Sequence, residues 1–315
     1  MCPRCKEKLQ VSGQRLICGE HAFQILNGIP RFTNDEYAKA FGFQWKKFPR
    51  TQLDSNTQSS ISLERVRRAM GIDLFNSLSA STVLEVGSGA GRFTEVLLKQ
   101  KASVVSTDIS RAIEVNAENF SLTIGHYPIQ ADINNLPFQE NCFELVFCLG
   151  VLQHTRSPEV SISHLNSMVQ PGGWLVIDHY GKSISWYLRT APLFRFLFKR
   201  IDPEKSFYII SSIFAFSQPF FNLSSNRVYR KVLNVLFPVV FFDKEIPDLP
   251  DSFKYDWGLL DTYDSLTDFY KHRRTAKQIR LILEKLGLIN IWCENQNGTI
   301  IARAQKPFLS STKGK

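Results

Sequence analysis

The run Val83-Leu84-Glu85-Val86-Gly87-Ser88-Gly89-Ala90-Gly91-Arg92-Phe93-Thr94 constrains the fold more than any other stretch of the chain. An apolar strand leads into a glycine-rich turn, with an acidic residue just before it. Such a run, bounded by glycines, predicts a buried strand turning sharply into a helix. A dinucleotide fingerprint spaces its glycines G-x-G-x-x-G, so that a pyrophosphate rests on the helix N-terminus. Here the third glycine comes one residue early, and Glu85 directs a negative charge towards the site, which would repel a pyrophosphate. Asp108 closes the next apolar strand, Val104-Val105-Ser106-Thr107, about 20 residues beyond the first glycine, where an acid accepts both ribose hydroxyls. The pattern predicts a nucleoside ligand with a cationic amino-acid tail and argues against a nicotinamide dinucleotide.

From Ser81 to Gly181 short apolar strands alternate with helical segments, which predicts an α/β fold built on a doubly wound parallel sheet. Ligands of such a sheet gather beyond the carboxyl ends of its strands. Helices are expected over Arg92–Gln100, Arg111–Ser121 and Ser157–Met168, with Pro158 in the first turn of the last. After Leu286-Gly287, the runs Ile289–Glu294 and Thr299–Arg303 flank Asn295-Gln296-Asn297-Gly298, whose Asn-Gly pair predicts a terminal antiparallel hairpin.

Three further segments follow in order: Gln130-Ala131-Asp132-Ile133-Asn134-Asn135-Leu136-Pro137-Phe138, the strand Phe143–Cys148 running on to His154, and Met168–Asp178 with Pro171-Gly172-Gly173. With the glycine loop and Asp108 they resemble the ordered motifs of class I S-adenosylmethionine-dependent methyltransferases. The resemblance implies a Rossmann-like methyltransferase sheet in which Glu85, Gly87, Gly89 and Gly91 hold the methionine end of the cofactor. It also implies that Asp108 binds ribose, that Asp132 faces the adenine amino group and that Ile133 lies against its ring. Taken alone, Asp132 would serve equally well as a cap for the turn before Leu136.

The sulfonium is already an excellent leaving group, so such a protein mainly supplies proximity and a fitting electrostatic cavity. A hydroxyl acceptor also benefits from a base. His154 follows strand four and Asp178-His179-Tyr180 follows strand five, and both are expected to converge on one opening. His154 or His179 is the candidate base and Tyr180 the positioning hydrogen bonder; the alternative is a pair of satisfied loop histidines. The reading is methyl transfer to a small-molecule or lipid- or sugar-linked acceptor, with oxygen preferred. Ribosomal RNA base methylation and a non-catalytic cofactor-binding partner protein are the alternatives.

Three of the six cysteines fall in the first 18 residues, as Cys2-Pro3-Arg4-Cys5 and Cys18-Gly19-Glu20-His21. Two short ligand pairs on a longer loop supply three thiolates and an imidazole to structural tetrahedral zinc, which staples a segment too small to bury its own core. A metal-free ribbon held by packing is the alternative. Cys142, Cys148 and Cys293 are isolated, which fits a reduced protein better than a disulfide framework. The segment through Phe32 resembles the zinc-ribbon leader of some bacterial methyltransferases. It is also similar to the leader of ribosomal RNA guanine methyltransferases, with the last Cys–His spacing one residue shorter. That keeps an RNA role open, although the ribbon has few basic residues beyond Arg4, Lys6, Lys8 and Arg15 and no RNA-reading module is evident.

The chain therefore divides into a ribbon (1–32), a connector with helices (33–80), the cofactor-binding core (81–181), a helical insertion (182–264), the C-terminal part of the core (265–305) and a tail (306–315). Helix openings are expected at Asn34-Asp35-Glu36 and at Ser60 or Ser62. Between them, Phe43-Gln44-Trp45-Lys46-Lys47-Phe48 through Asp54 resembles a segment that closes over the cofactor in ribbon-bearing methyltransferases. Alternatively, Trp45 and Phe48 glue the ribbon to the core. The insertion is rich in aromatic and basic residues, from Trp186 and Tyr187 to Phe242, and reads either as a packed lid or as a peripheral membrane contact. The 38 Lys and Arg against 29 Asp and Glu, a formal charge of +9, favour anionic partners without choosing among them. A 43% hydrophobic and 21% charged composition suits a globular enzyme. With no apolar signal segment and no membrane-length apolar run, the expected location is cytoplasmic, with membrane association left open. Composition sets no oligomeric state.

Overall fold

A computed structural model describes residues 1–33, 38–182, 189–223, 226–242 and 249–309. The expected helix opening at Asn34-Asp35-Glu36, the pair Trp186 and Tyr187, and the tail beyond Leu309 lie outside the described residues.

The N-terminal segment is a meander of β1 (Gln10–Ser12), β2 (Arg15–Cys18), β3 (His21–Leu26) and β4 (Ile29–Arg31), all antiparallel. Its own core is small, built on Cys2, Cys18 and Phe23. Helices α1 (Lys39–Lys47), α2 (Asp54–Thr57), α3 (Ile61–Met70) and α4 (Ile72–Asn76) follow. Asp54 accepts from the backbone N–H groups of Ser62 and Leu63 at 2.9 and 2.8 Å, satisfying donors at the start of α3 that would otherwise be orphaned.

Strand β5 (Thr82–Val86) is buried on both faces, as a central parallel strand must be. From it the chain winds through α5 (Arg92–Lys99), β6 (Ser103–Asp108), α6 (Ala112–Asn119), β7 (His126–Gln130), β8 (Phe143–Cys148), α7 (Pro158–Met168) and β9 (Val169–Tyr180). The insertion contributes α8 (Ala191–Phe198), α9 (Pro203–Leu223), α10 (Arg227–Leu236) and α11 (Asp251–Thr267). Helix α12 (Ala276–Lys285) opens with a Thr275–Gln278 capping box, and β10 (Ile289–Gln296) and β11 (Thr299–Gln305) form the terminal hairpin. The core strands run in the order β7-β6-β5-β8-β9-β11-β10, with β11 antiparallel to its neighbours. Chain direction across the sheet reverses between β5 and β8, which places the ligand crevice at their carboxyl ends.

Both faces of the sheet are covered. Leu84, Val86 and Val146 pack with Ile162 and Leu165 of α7 and Leu283 of α12, while Val83 and Phe147 pack with Val66, Met70, Phe93 and Val96 of α3 and α5. A third core holds the insertion together: Phe198, Ile210, Phe214, Phe221, Leu260 and Tyr263 bury one another, and Phe48 joins them from the end of α1.

One feature of the architecture was not foreseen. The ribbon continues the main sheet, because Arg31 of β4 pairs in parallel with Gln130 of β7, giving eleven strands among the described residues. Phe32 N–H donates to Gln130 O at 2.9 Å, Arg31 reaches Glu114 of α6 at 3.0 Å, and the Met1 ammonium donates to Pro137 O at 2.9 Å.

Candidate functional site

A cavity of about 480 Å³ opens at the carboxyl ends of β5, β6, β8 and β9. Its floor is the glycine loop. Gly87 and Gly89 have φ of +75° and +54°, and the N–H groups of Gly87 and Ser88 both donate to Thr107 O, at 2.7 and 3.0 Å. A Cβ on Gly87 would lie 2.1 Å from Val151 Cγ2, so only glycine fits both the backbone and the space. Gly91 does not line the cavity; its φ of +99° starts α5, and a Cβ there would strike the Phe120 ring at 2.3 Å.

The expected cofactor acids are placed differently from one another. Asp108 lines the cavity at the end of β6, accepting from Gly89 N–H at 2.9 Å and from Ser110 N–H and Oγ at 2.8 and 2.7 Å, while burial raises its pKa. Glu85 lies behind the loop rather than in the cavity: Thr94 Oγ1 and Ser106 Oγ donate to its Oε2 at 2.5 and 3.2 Å. Its Oε1 is buried without a partner, and burial pushes the carboxyl up to about 7 against those two hydrogen bonds. Any influence it has on a ligand passes through the turn. Asp132 does not line the cavity either. It accepts from Asn134 N–H at 2.8 Å, the turn-capping arrangement, and borders a separate open groove beside the ribbon with Arg4 and Phe32. Ile133 does line the cavity.

The wall comes from the segment read as either a clamp or glue. Phe41, Gln44, Trp45 and Gln52 line the cavity, with the Trp45 ring 3.0 Å from where a Gly89 Cβ would sit. Phe43 and Phe48 face the insertion instead, meeting Phe207 with ring centroids 5.6 and 5.9 Å apart. The segment thus joins the insertion to the glycine loop, and the two aromatics do not attach the ribbon. Ser88 Oγ and Gln44 Oε1 are buried in this lining with no hydrogen-bond partner among the described residues. Unmatched polar atoms facing a cavity suit a polar ligand such as a nucleoside with an amino-acid tail.

His154, in the short turn Leu152–His154, also lines the cavity. Its Nδ1 lies 3.1 Å from Asp268 Oδ2 and 3.2 Å from the Tyr270 carbonyl. Both neighbours are acceptors, so the proton belongs on Nδ1 and the lone pair on Nε2. Asp268, fully buried at the end of α11, also meets Lys271 Nζ at 3.0 Å and, in a short contact, the Arg195 guanidinium. Burial opposes its charge, but Lys271, His154 and Arg195 together hold its carboxyl down at about 2. Tyr180 meets the His154 ring edge-on at 5.5 Å. Burial and the carboxylates of Asp264, Asp268 and Asp261 raise its hydroxyl pKa well above the usual value, so it stays a hydrogen-bond donor.

His179 does not join His154. Strand β9 continues through Tyr180, and its alternation turns Tyr180 to the cavity and His179 to the opposite face. There its Nδ1 faces Tyr180 O at 3.0 Å, its Nε2 is buried without a partner, and burial pushes its pKa down to about 4. Helix α11 adds four lining residues that sequence reading missed, Leu260, Asp261, Asp264 and Ser265. Burial and the neighbouring Asp264 push Asp261 up to about 7, against the pull of Arg92 and Arg65.

In the ribbon, the ligand atoms of Cys2, Cys5, Cys18 and His21 all lie within 4.8 Å of one another. The Cys5 and Cys18 sulfurs are 3.5 Å apart, near the edge of about 3.8 Å that tetrahedral Zn–S bonds of about 2.3 Å imply. His21 Nδ1 is buried with no partner, as a ligand nitrogen would be. The four residues expected from the sequence are therefore brought together, and their donor set fits a metal ion.

Residues 84–177 match the family described as Methyltransferase domain. With the strand order and the terminal hairpin, the chain carries a methyltransferase domain of the class I S-adenosylmethionine-dependent fold, with an N-terminal Cys/His cluster resembling a small metal-binding ribbon. The ubiquinone biosynthesis O-methyltransferase of Coxiella burnetii (strain Dugway 5J108-111) is 30% identical over 118 residues, 36% of this chain and 50% of that protein. The protein of the same name from Colwellia psychrerythraea is 27% identical over 144 residues, 44% of this chain and 58% of that one. The chain thus spans about half the length of the curated relatives it matches. Among solved structures, a SAM-dependent methyltransferase from Aquifex aeolicus aligns with a TM-score of 0.43 and 14% identity, over 84% of this chain and 97% of that one.

Proposed function

We propose that this chain methylates an oxygen of a small-molecule or a lipid- or sugar-linked acceptor, using S-adenosylmethionine. One observation carries the reading: the glycine loop, Asp108, His154 and Tyr180 line a single cavity, with Asp268 behind His154. The curated relatives named for O-methylation support oxygen as the acceptor atom.

When bound, S-adenosylmethionine supplies a methyl group already activated for displacement by its sulfonium. The residues of the chain bind, orient and move a proton. Asp108 would accept from ribose hydroxyls, the bare backbone of Gly87 and Gly89 would allow close approach, and Ser88 Oγ and Gln44 Oε1 would meet polar groups of the amino-acid tail. Tyr180 donates to the acceptor and positions it. His154 Nε2 would take the acceptor's hydroxyl proton, and the buried Asp268 carboxylate would stabilise the resulting imidazolium. Such a base contributes about 10²–10⁴-fold to rate. The alternation along β9 removes His179 from this role, and Glu85 acts from beneath the loop.

The four-residue ribbon cluster is assigned to one structural zinc ion, which takes no part in the reaction. Calorimetry with S-adenosylhomocysteine tests the binding half of this reading. Binding should weaken at least about ten-fold in Asp108→Ala, since a charged hydrogen-bonding clamp is worth roughly 1.5–3 kcal/mol. No binding to folded protein would reject it.

A further inference from the structure

The insertion covers the cavity with one side and leaves an apolar side uncovered. Leu193 and Phe196 of α8, Tyr208, Phe216 and Leu223 of α9, and Val228 of α10 are 55–78% exposed. They recur at helical spacing, so each helix presents an apolar stripe outward as well as one to the core. Helix α9 buries Ile210, Phe214 and Phe221 on its inner side and shows Tyr208, Phe216 and Leu223 on its outer side. The stripes adjoin: Thr190, just before α8, donates to Val235 O and Leu236 O of α10 at 3.0 Å each, and Phe237 after α10 packs on Phe220 of α9 with centroids 5.4 Å apart. A contiguous apolar surface of this kind marks an interaction site.

Charge decides what it meets. Between Arg189 and Leu236 there are eight Lys and Arg residues against Asp202 and Glu204; with Arg195 paired to the buried Asp268 and Arg189 lining the cavity, six cations remain against two acids, a net positive segment. Arg200 and Lys199 lie beside the exposed Phe196, 4.9 and 5.9 Å from its ring centroid. A second copy docking through the same patch would bring two such cationic fields together. An anionic bilayer satisfies both features, taking the apolar stripes into the headgroup boundary and the cations onto its phosphates. None of the described helices is long and apolar enough to cross a membrane, so the contact is peripheral.

We propose that the outer face of α8, α9 and α10 docks on the surface of an anionic lipid bilayer. The proposal stands independently of the reaction assigned above, though it would bring the cavity beside a lipid-linked acceptor. The test is flotation of the full chain with vesicles of phosphatidylcholine, with and without phosphatidylglycerol. The protein should float with the anionic vesicles, much less with the neutral ones, and less as salt rises. Phe216→Ser with Leu223→Ser should lower the bound fraction about ten-fold or more, and Lys199→Gln with Arg200→Gln should lower it in the anionic vesicles. An unchanged melting temperature in both pairs shows that the fold survives. The proposal is overturned if the protein fails to float, if flotation ignores both pairs, or if light scattering finds a dimer that the Phe216/Leu223 pair dissociates. Loss of methyl transfer with flotation intact would instead overturn the reaction alone.

Discussion

Replacing Gly87 by Ala places a methyl group where the structure has neither room nor a suitable backbone. The residue sits at φ +75°, and its Cβ would lie 2.1 Å from Val151 Cγ2 and 3.0 Å from Cγ1. Holding an L-residue in that region costs about 1–2 kcal/mol. Overpacking against Val151 adds about 1–3 kcal/mol, for a total loss of roughly 2–5 kcal/mol. The two shares separate in a double-mutant cycle, because Val151→Ala removes the methyl groups in the way but leaves φ unchanged. Urea denaturation of the wild type, both single variants and the double variant should therefore show a favourable coupling of about 1–3 kcal/mol, with the backbone share persisting. S-adenosylhomocysteine affinity should fall with Gly87→Ala and recover partly in the double variant. A Gly87→Ala protein within about 0.5 kcal/mol of wild type, or no coupling between the two sites, would refute this account of the loop.

His154→Ala should lower methyl-transfer turnover by about 10²–10⁴ while leaving S-adenosylhomocysteine affinity nearly unchanged, whereas His179→Ala should act on stability and spare turnover; steady-state kinetics beside calorimetry reads both. Because burial raises the Glu85 carboxyl from 4.5 to about 7, its contribution to folding is fully present below about 4.5 and is lost as pH rises through about 7. Chemical denaturation of the ligand-free protein should show this decline, of about 3 kcal/mol, and Glu85→Gln should flatten that part of it. Protein purified without a histidine tag should contain about one zinc per chain by metal analysis, and Cys5→Ser should lose it and expose the ribbon to proteolysis while the core stays folded.

The glycine loop was legible because it is local: the strand, Gly87, Gly89 and Asp108 lie within one βαβ unit, while Gly91, Glu85 and Asp132, read from the same motifs, stand outside the cavity lining. The hairpin announced itself through Asn297-Gly298. The Cys2–Cys5–Cys18–His21 cluster was legible for the same reason as the glycine loop, being two short pairs on one loop. His179 was misplaced because Asp178-His179-Tyr180 was read as a segment following strand five. The strand in fact continues to Tyr180, so the period-two alternation sends His179 away from the cavity. Asp268 left no signal, since it reaches His154 only after the whole insertion has folded back over the sheet. Asp261 and Asp264 were hidden for the same reason, as polar residues on a helix whose apolar side packs into the insertion core. The sheet pairing between ribbon and core is a single pair of polar residues, Arg31 and Gln130, which carries no hydrophobic pattern to read.

The central claim is methyl transfer to oxygen on a small or lipid-linked acceptor, with His154 as base. Its most direct test is transfer of labelled methyl from S-adenosylmethionine by the purified chain into cell extract separated into RNA, lipid and soluble metabolites, followed by mass analysis. The account predicts label in the lipid or metabolite fraction, on oxygen, and its near loss with His154→Ala. Label confined to a methylated base in RNA, or label that His154→Ala leaves undiminished, would contradict it.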